Sequence, residues 1–129
     1  MKIKSLILAL LAPICLVCQE NSAVAEKVTD HIYRIEVKGS VNVVAVIESD
    51  GVLLYDTGYK GSGEAIENAV KGFIALPIKA VYNTHYHGDH TGSNDYFISR
   101  GVKVYAVGKT LERLGDGQKG ELWTLGEGM

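Results

Sequence analysis

Cysteine is nearly absent from this sequence. Two residues in 129, Cys15 and Cys18, are the whole supply, and both sit in an N-terminal apolar run. A disulfide scaffold is therefore excluded, and the fold must hold on its core alone. No positive excess exists either. Lys+Arg 13 against Asp+Glu 15 gives a formal net charge of −2. That balance excludes nucleic acid as the main partner, because nothing is present to neutralise phosphates. It leaves room for a small anionic substrate held by one or two local charges. The N-terminal apolar run, Leu6 to Val17, has 12 residues, short of the ~20 of a spanning helix. Internal repeats, charge runs and a flavin-binding motif are missing as well.

What is present is the composition of one globular domain: 47% hydrophobic and 22% charged residues. It is preceded by an address. Lys2 and Lys4 form a positive start, the apolar run follows, and Ala23-Val24-Ala25 offers the small-x-small pattern that signal peptidase cuts after. Residues 1–25 are read as a secretory signal peptide and 26–129 as the folded domain. Removing 25 of 129 residues leaves 104, without cysteine. The reading implies a periplasmic or secreted protein that has no membrane attachment once the signal is cleaved.

His31 to Lys38 alternates and predicts a half-buried strand. Val41 to Ile47 is almost continuously apolar, as in a strand covered on both faces. Asp50-Gly51 predicts a hairpin with a type I′ turn, and Val52 to Tyr55 returns as its second strand. Ala65, Ile66, Ala69, Val70, Phe73 and Ile74 recur at helical spacing behind Ser62 as N-cap, with Pro77 barring continuation. Ile78 to Asn83 predicts a strand, Ser93 to Ser99 a short capped helix, Val102 to Val107 a strand, and Thr110 to Leu114 another short helix. Strands alternating with helices after an antiparallel start indicate an α/β (α+β) class.

At the end of one predicted strand stand His85, His87, Asp89 and His90. In extended chain, residues i and i+2 point to one side, so His85 and His87 can aim at one point. Gly88 lets the backbone turn, which brings Asp89 and His90 to a second point. Imidazole and carboxylate suit zinc, and also iron or manganese. Two neighbouring metals can clamp a hydrolysis, and a bound metal lowers the pKa of its water from 15.7 to about 7.

Thr84-His85-Tyr86-His87-Gly88-Asp89-His90 resembles the His-x-His-x-Asp-His signature of the metallo-β-lactamase superfamily. Thr91-Gly92-Ser93-Asn94 is similar to its continuation. The stretch from Gly39-Ser40-Val41-Asn42 through Asp56-Thr57-Gly58 resembles its opening hairpin and first acidic position. The likeness runs from Val28 to Leu125. It implies the N-terminal half of an αββα sandwich with a metal site at one edge, two zinc ions in the complete family site, and a small-molecule substrate. By the same resemblance His85 and His87 hold the first metal, Asp89 and His90 the second, and Asp89 is the candidate catalytic carboxylate. Asp56 orients ligands and the loop without binding metal, although an Asp before Thr-Gly also fits a plain turn former. Tyr86 and Trp123 are read as packing side chains, and Lys60 and Lys109 as solvated surface.

The family completes its site with a later His, an Asp or Cys, and a last His. Here His90 is the last histidine, and 39 residues follow it. Two ligands per metal remain where a catalytic zinc has three. The implied activity is attack of water on an amide, ester or thioester carbonyl. A β-lactam suits an exported member, while glyoxalase II-like thioesterases and lactonases share the motif. The alternatives are a truncated, non-catalytic chain, or a half-domain completed by a second copy or a partner. An iron redox enzyme is disfavoured by export and the missing flavin motif. A half sandwich leaves one sheet face uncovered, more apolar area than the few hundred Å² soluble monomers tolerate. Sedimentation of the purified chain with zinc is therefore expected to show self-association, with metal lost on dialysis. A cooperatively melting monomer that retains near-stoichiometric zinc contradicts this.

Overall fold

A computed structural model describes residues 22–114 and the backbone of residues 122–124. The expected signal segment as far as Asn21, the side chain of Trp123 and the rest of the glycine-rich tail lie outside the described residues. The strands are β1 (Ala23–Lys27), β2 (Ile32–Val37), β3 (Asn42–Glu48), β4 (Gly51–Tyr55), β5 (Ile78–Asn83), β6 (Lys103–Ala106) and β7 (Leu122–Thr124). The helices are α1 (Gly63–Lys71), α2 (Gly88–Thr91), α3 (Asn94–Ile98) and α4 (Gly108–Arg113).

All seven strands join one sheet in chain order. β1 to β4 pair antiparallel, then β5, β6 and β7 continue in parallel. The α/β class with an antiparallel start is thus the class observed. Each parallel crossover steps one strand onward in the same direction. Right-handed connections then place the intervening helices on one face.

That face is the core. Ile35, Val43, Leu54, Val81 and Val104 point to it from successive strands, each fully buried, and meet Ile66 and Val70 of α1 and Phe97 of α3. Each such side chain contributes about 1.5–3 kcal/mol of burial. Two clasps hold α1 against α3. Gly63 has no side chain because a Cβ there would run into the Tyr96 ring. Tyr96 donates its hydroxyl to Glu67 (2.6 Å), and burial together with that carboxylate pushes its pKa up to about 12.

Alternation turns the remaining strand residues the other way. Val44, Val46, Leu53 and Tyr55 are half-buried or exposed there. Register aligns Tyr55 with Tyr82 and Tyr82 with Tyr105, and the three rings stack at 5.6 and 5.1 Å between centroids.

The structure corrects several local readings. β1 is a strand the sequence pattern does not announce, since AVAEK reads as a cleavage motif and its one large apolar residue, Val24, is exposed. Ala23, Val24 and Ala25 pair with Val37, Glu36 and Ile35, and the Lys38 N–H donates to the Ser22 carbonyl at 2.9 Å. The expected cleavage point after Ala25 therefore falls inside β1. The hairpin turns on Ser49-Asp50, and neither these residues nor Gly51 has positive φ, so no type I′ turn forms. Gly51 is instead required by close approach. A Cβ would stand 2.9 Å from the Pro77 carbonyl oxygen and inside the Lys79 side chain, which reaches across to pair with Asp50. Ser62 and Ser93 occupy the N-cap positions of α1 and α3 without making cap bonds. Helix α1 ends at Gly72, well before Pro77.

Gly51→Ala is expected to destabilise the chain by about 1–3 kcal/mol, because the Pro77 backbone cannot yield to a methyl group. Gly108→Ala, where a Cβ meets nothing within 4 Å, is expected to be neutral or to stabilise by up to ~1 kcal/mol. Urea denaturation of both variants measures the contrast.

Candidate functional site

β4 and β5 are parallel neighbours, so their C-terminal ends lie side by side, where α/β sheets carry their chemistry. From one end comes Asp56-Thr57-Gly58, and from the other Thr84 leads into the histidines. Asp56 extends the ladder by donating its N–H to the Tyr82 carbonyl (2.9 Å). It then turns left-handed at φ 69, the one non-glycine with positive φ among the described residues. Such a conformation costs on the order of 1–3 kcal/mol, though aspartate tolerates it better than most. Its side chain is buried (5% exposed) and fully engaged. Oδ1 accepts the Thr84 N–H at 2.8 Å; Oδ2 accepts the Thr84 hydroxyl and His90 Nδ1, each at 2.7 Å.

The segment after Thr84 departs from the expected bend. Gly88 does not adopt positive φ. Residues Gly88–Thr91 form a single helical turn with His87 at its N-cap, whose carbonyl accepts the N–H groups of His90 (2.9 Å) and Thr91 (3.0 Å). That turn carries Asp89 and His90 back over His85. The rings of His85 and His90 lie 3.9 Å apart, and those of His85 and His87 4.7 Å apart. Nε2 of His85 faces Nδ1 of His87 at 3.1 Å, and Nε2 of His90 faces Asp89 Oδ2 at 3.7 Å. All five residues singled out from the sequence, Asp56, His85, His87, Asp89 and His90, are thus brought together. The fourth histidine, His31, stands exposed at the turn between β1 and β2.

These contacts make two pairs rather than a single cage. Among the described residues, no group of three or more His, Cys, Asp or Glu side chains is arranged to hold a metal ion. Two ligand atoms sharing one tetrahedral zinc at ~2.0–2.1 Å sit about 3.3 Å apart. The 3.1 Å separation of His85 and His87 fits that spacing, and the His90–Asp89 pair is somewhat wider.

Behind the histidines lies a polar network that sequence reasoning missed. Asn83 and Asn94 exchange side-chain hydrogen bonds (2.8 and 3.1 Å), and the Thr57 hydroxyl donates to Asn94 Oδ1 (3.0 Å). All three residues are buried. The Thr57 N–H donates to the His90 carbonyl at 2.7 Å. Ser93 donates to the Tyr59 carbonyl (2.5 Å) and accepts the Ser62 N–H (3.0 Å), which is why it makes no cap bond. Ser40 donates to the Asp89 carbonyl (3.2 Å) and accepts the Tyr59 N–H (3.1 Å). Thr84 was legible only as the residue preceding the first histidine, and Asn94 only as part of the motif's continuation.

Tyr86 does not pack inward as its position between ligands suggests. It is 39% exposed, with its ring beside His87 and its hydroxyl accepting from Arg113 (3.3 Å). Lys60 and Lys109 are exposed, as read. A cavity of about 500 Å³ lined by Leu53, Tyr55, Tyr82, Asn83, Thr84 and Val107 adjoins the histidines. Another cavity, of about 610 Å³, lies away from them between α1 and α3, and no histidine lines it.

Residues 37–127 match the family described as the Metallo-beta-lactamase superfamily. The metallo-β-lactamase IND-1 of Chryseobacterium indologenes is 34% identical over 76 residues, 58% of this chain and 32% of that protein. Among solved structures, MEM-A1, a subclass B3 metallo-β-lactamase isolated from a soil metagenome library, aligns with a TM-score of 0.69 at 19% identity. The alignment covers 85% of this chain and 48% of that one. A metallo-β-lactamase from Pontibacter korlensis aligns with a TM-score of 0.63 at 23% identity, over 70% of this chain and 46% of its own. At these identities the structural likeness establishes a shared fold. The chain spans about a third to a half of the length of these relatives.

Asn94→Leu leaves the Asn83 amide without its partner in a buried site, while the Thr57 hydroxyl keeps the His90 carbonyl (3.2 Å) and the Ser93 N–H (3.2 Å), and the change is expected to cost about 2–3 kcal/mol. Pairing it with Asn83→Leu should cost less than the sum of the two single changes, by ~1 kcal/mol or more. A double-mutant cycle in urea checks both figures.

Proposed function

Since the chain belongs to the metallo-β-lactamase superfamily, we propose that it contributes the first metal ligands of a metal-dependent hydrolase. His85 and His87 would hold one divalent ion, and Asp89 and His90 a second, with zinc preferred and iron or manganese compatible with the same donors. The observation that carries this reading is the pair of facing nitrogens on His85 and His87, standing beside the His90–Asp89 pair that Asp56 anchors.

When bound, the metal supplies Lewis acidity that polarises a carbonyl and makes hydroxide available near neutral pH. The chain's own residues do the positioning. Asp56 fixes the ring of His90 through Nδ1, so that Nε2 is presented outward. The single helical turn of α2 sets Asp89 beside that nitrogen, and Ser40 pins its backbone. With a side chain one-third exposed, Asp89 would meet both substrate and solvent as the candidate catalytic carboxylate. The neighbouring cavity, floored by Leu53, Tyr55 and Tyr82, suits the non-reacting part of a small molecule.

The substrate proposed is a compound with an amide, ester or thioester carbonyl, and a β-lactam foremost, because IND-1 is a metallo-β-lactamase. Residues 1–25 are proposed as an export signal, placing the domain 26–129 in the periplasm or outside the cell. Among the described residues each ion would receive two donors, one fewer than a catalytic zinc normally has. That favours a second reading in which this chain alone is non-catalytic, with its tyrosine-lined sheet face covered by a second copy or a partner.

Calorimetric titration with zinc is expected to show weak binding, in the micromolar range or above. His85→Ala or His87→Ala should weaken one site, and Asp89→Ala the other, each by tenfold or more. Hydrolysis of nitrocefin by the chain alone should be slight and abolished by a chelator. Zinc affinity unaffected by all three substitutions overturns the proposal.

A further inference from the structure

We propose that Thr84 is a positioning residue that decides which nitrogen of His85 is left bare. Counting protons around Asp56 settles the donors. An ionised carboxylate only accepts, so each of the three groups on Asp56 must donate. The Thr84 N–H goes to Oδ1 at 2.8 Å, and the Thr84 hydroxyl and the His90 Nδ1–H go to Oδ2, both at 2.7 Å.

A threonine hydroxyl has one proton, and here it is committed to Asp56. Toward Nδ1 of His85, 3.1 Å away, Thr84 Oγ1 therefore offers only a lone pair. A neutral His85 ring that hydrogen-bonds this oxygen carries its hydrogen on Nδ1 and leaves Nε2 bare, to accept from the Nδ1–H of His87 at 3.1 Å. His90 reaches the same tautomer directly through Asp56, and its longer 3.5 Å approach to Thr84 Oγ1 changes nothing. The two bare Nε2 atoms are the ones that face His87 Nδ1 and Asp89 Oδ2. One threonine thus transmits the demand of one buried carboxylate to a ring the carboxylate does not touch. A free histidine side chain favours the opposite, Nε2–H form, so this arrangement has to be imposed. The β-branch of Thr84 helps by restricting χ1 and holding the hydroxyl in place.

The consequence for metal binding rests on the reading of His85 as a ligand, but the tautomer itself is a property of the chain without metal. Magic-angle-spinning ¹⁵N NMR of histidine-labelled, metal-free chain reads it directly, whatever the state of association. At a pH well above the usual histidine range, His85 and His90 are expected as Nδ1–H forms. In Thr84→Val, His85 should revert to the Nε2–H form while His90, still held by Asp56, does not. Thr84→Ser should restore the original pattern, and His31 should be unchanged throughout as an internal control. Zinc affinity should fall at least tenfold in Thr84→Val and recover in Thr84→Ser.

Wild-type His85 found as Nε2–H overturns the proposal whether or not the variants fold, and so does Thr84→Val with His85 still Nδ1–H. If the tautomers behave as stated but zinc binds none of the chains, the metal reading fails and the role of Thr84 stands. If zinc binds through His85 with equal strength in every variant and no tautomer changes, the role of Thr84 fails and the metal reading stands.

Discussion

The buried carboxylate of Asp56 is the constraint on which the rest of the site depends. It is expensive in two ways: the backbone is held left-handed at φ 69, and a charge is taken almost wholly out of water. Three donors offset that cost, and all come from the other strand end and the turn that follows it. Hydrogen bonds to a charged acceptor are worth about 1.5–3 kcal/mol each, enough to outweigh the strain. The carboxylate therefore ties β4 to β5 beyond their ladder and orients His90, and through Thr84 it reaches His85. A neutral side chain of the same size could not satisfy three donors at once.

The sheet supplies the rigid base that makes such a constraint useful. Parallel pairing of β4 and β5 brings the two loops together, and the core face beneath them is packed by α1 and α3. Between core and histidines lies the Asn83–Asn94–Thr57 network, in which each buried polar group finds a partner. An apolar residue in place of Asn83 or Asn94 would pack but would leave the amide of the other without its partner. The opposite face is built differently, with its stacked tyrosines and half-buried valines. In the superfamily to which the chain belongs, the relatives it matches are roughly one and a half to nearly two times as long.

Much of this was legible in the sequence because the signals were strong ones. Ile78 to Asn83 reads as β5 residue for residue, and the strands around Val43 and Leu54 follow from their apolar runs, although β3 is not covered on both faces as its continuous run suggested, since Val44 and Val46 stay half-buried. The convergence of His85, His87, Asp89 and His90 follows from residue type and spacing alone. What stayed hidden depends on contacts between distant residues. β1 is written in two alanines, one valine and two charged residues, so only pairing with β2 makes it a strand. Gly51 looks like turn chemistry, yet it answers to Pro77, 26 positions away in the chain. Ser62 and Ser93 look like caps, yet Ser93 instead binds the backbone of Tyr59 and Ser62. Thr84 carries no motif weight, and its place between Asp56 and His85 appears only in three dimensions.

Backbone hydrogen–deuterium exchange on Asp56→Asn tests the central claim most directly. Asparagine accepts left-handed φ but replaces one acceptor oxygen with a donor. The account predicts exchange roughly tenfold faster or more for amides of residues 84–92, with protection in β2 and β3 unchanged. Unaltered protection across 84–92, or an equal loss throughout the sheet, would contradict it.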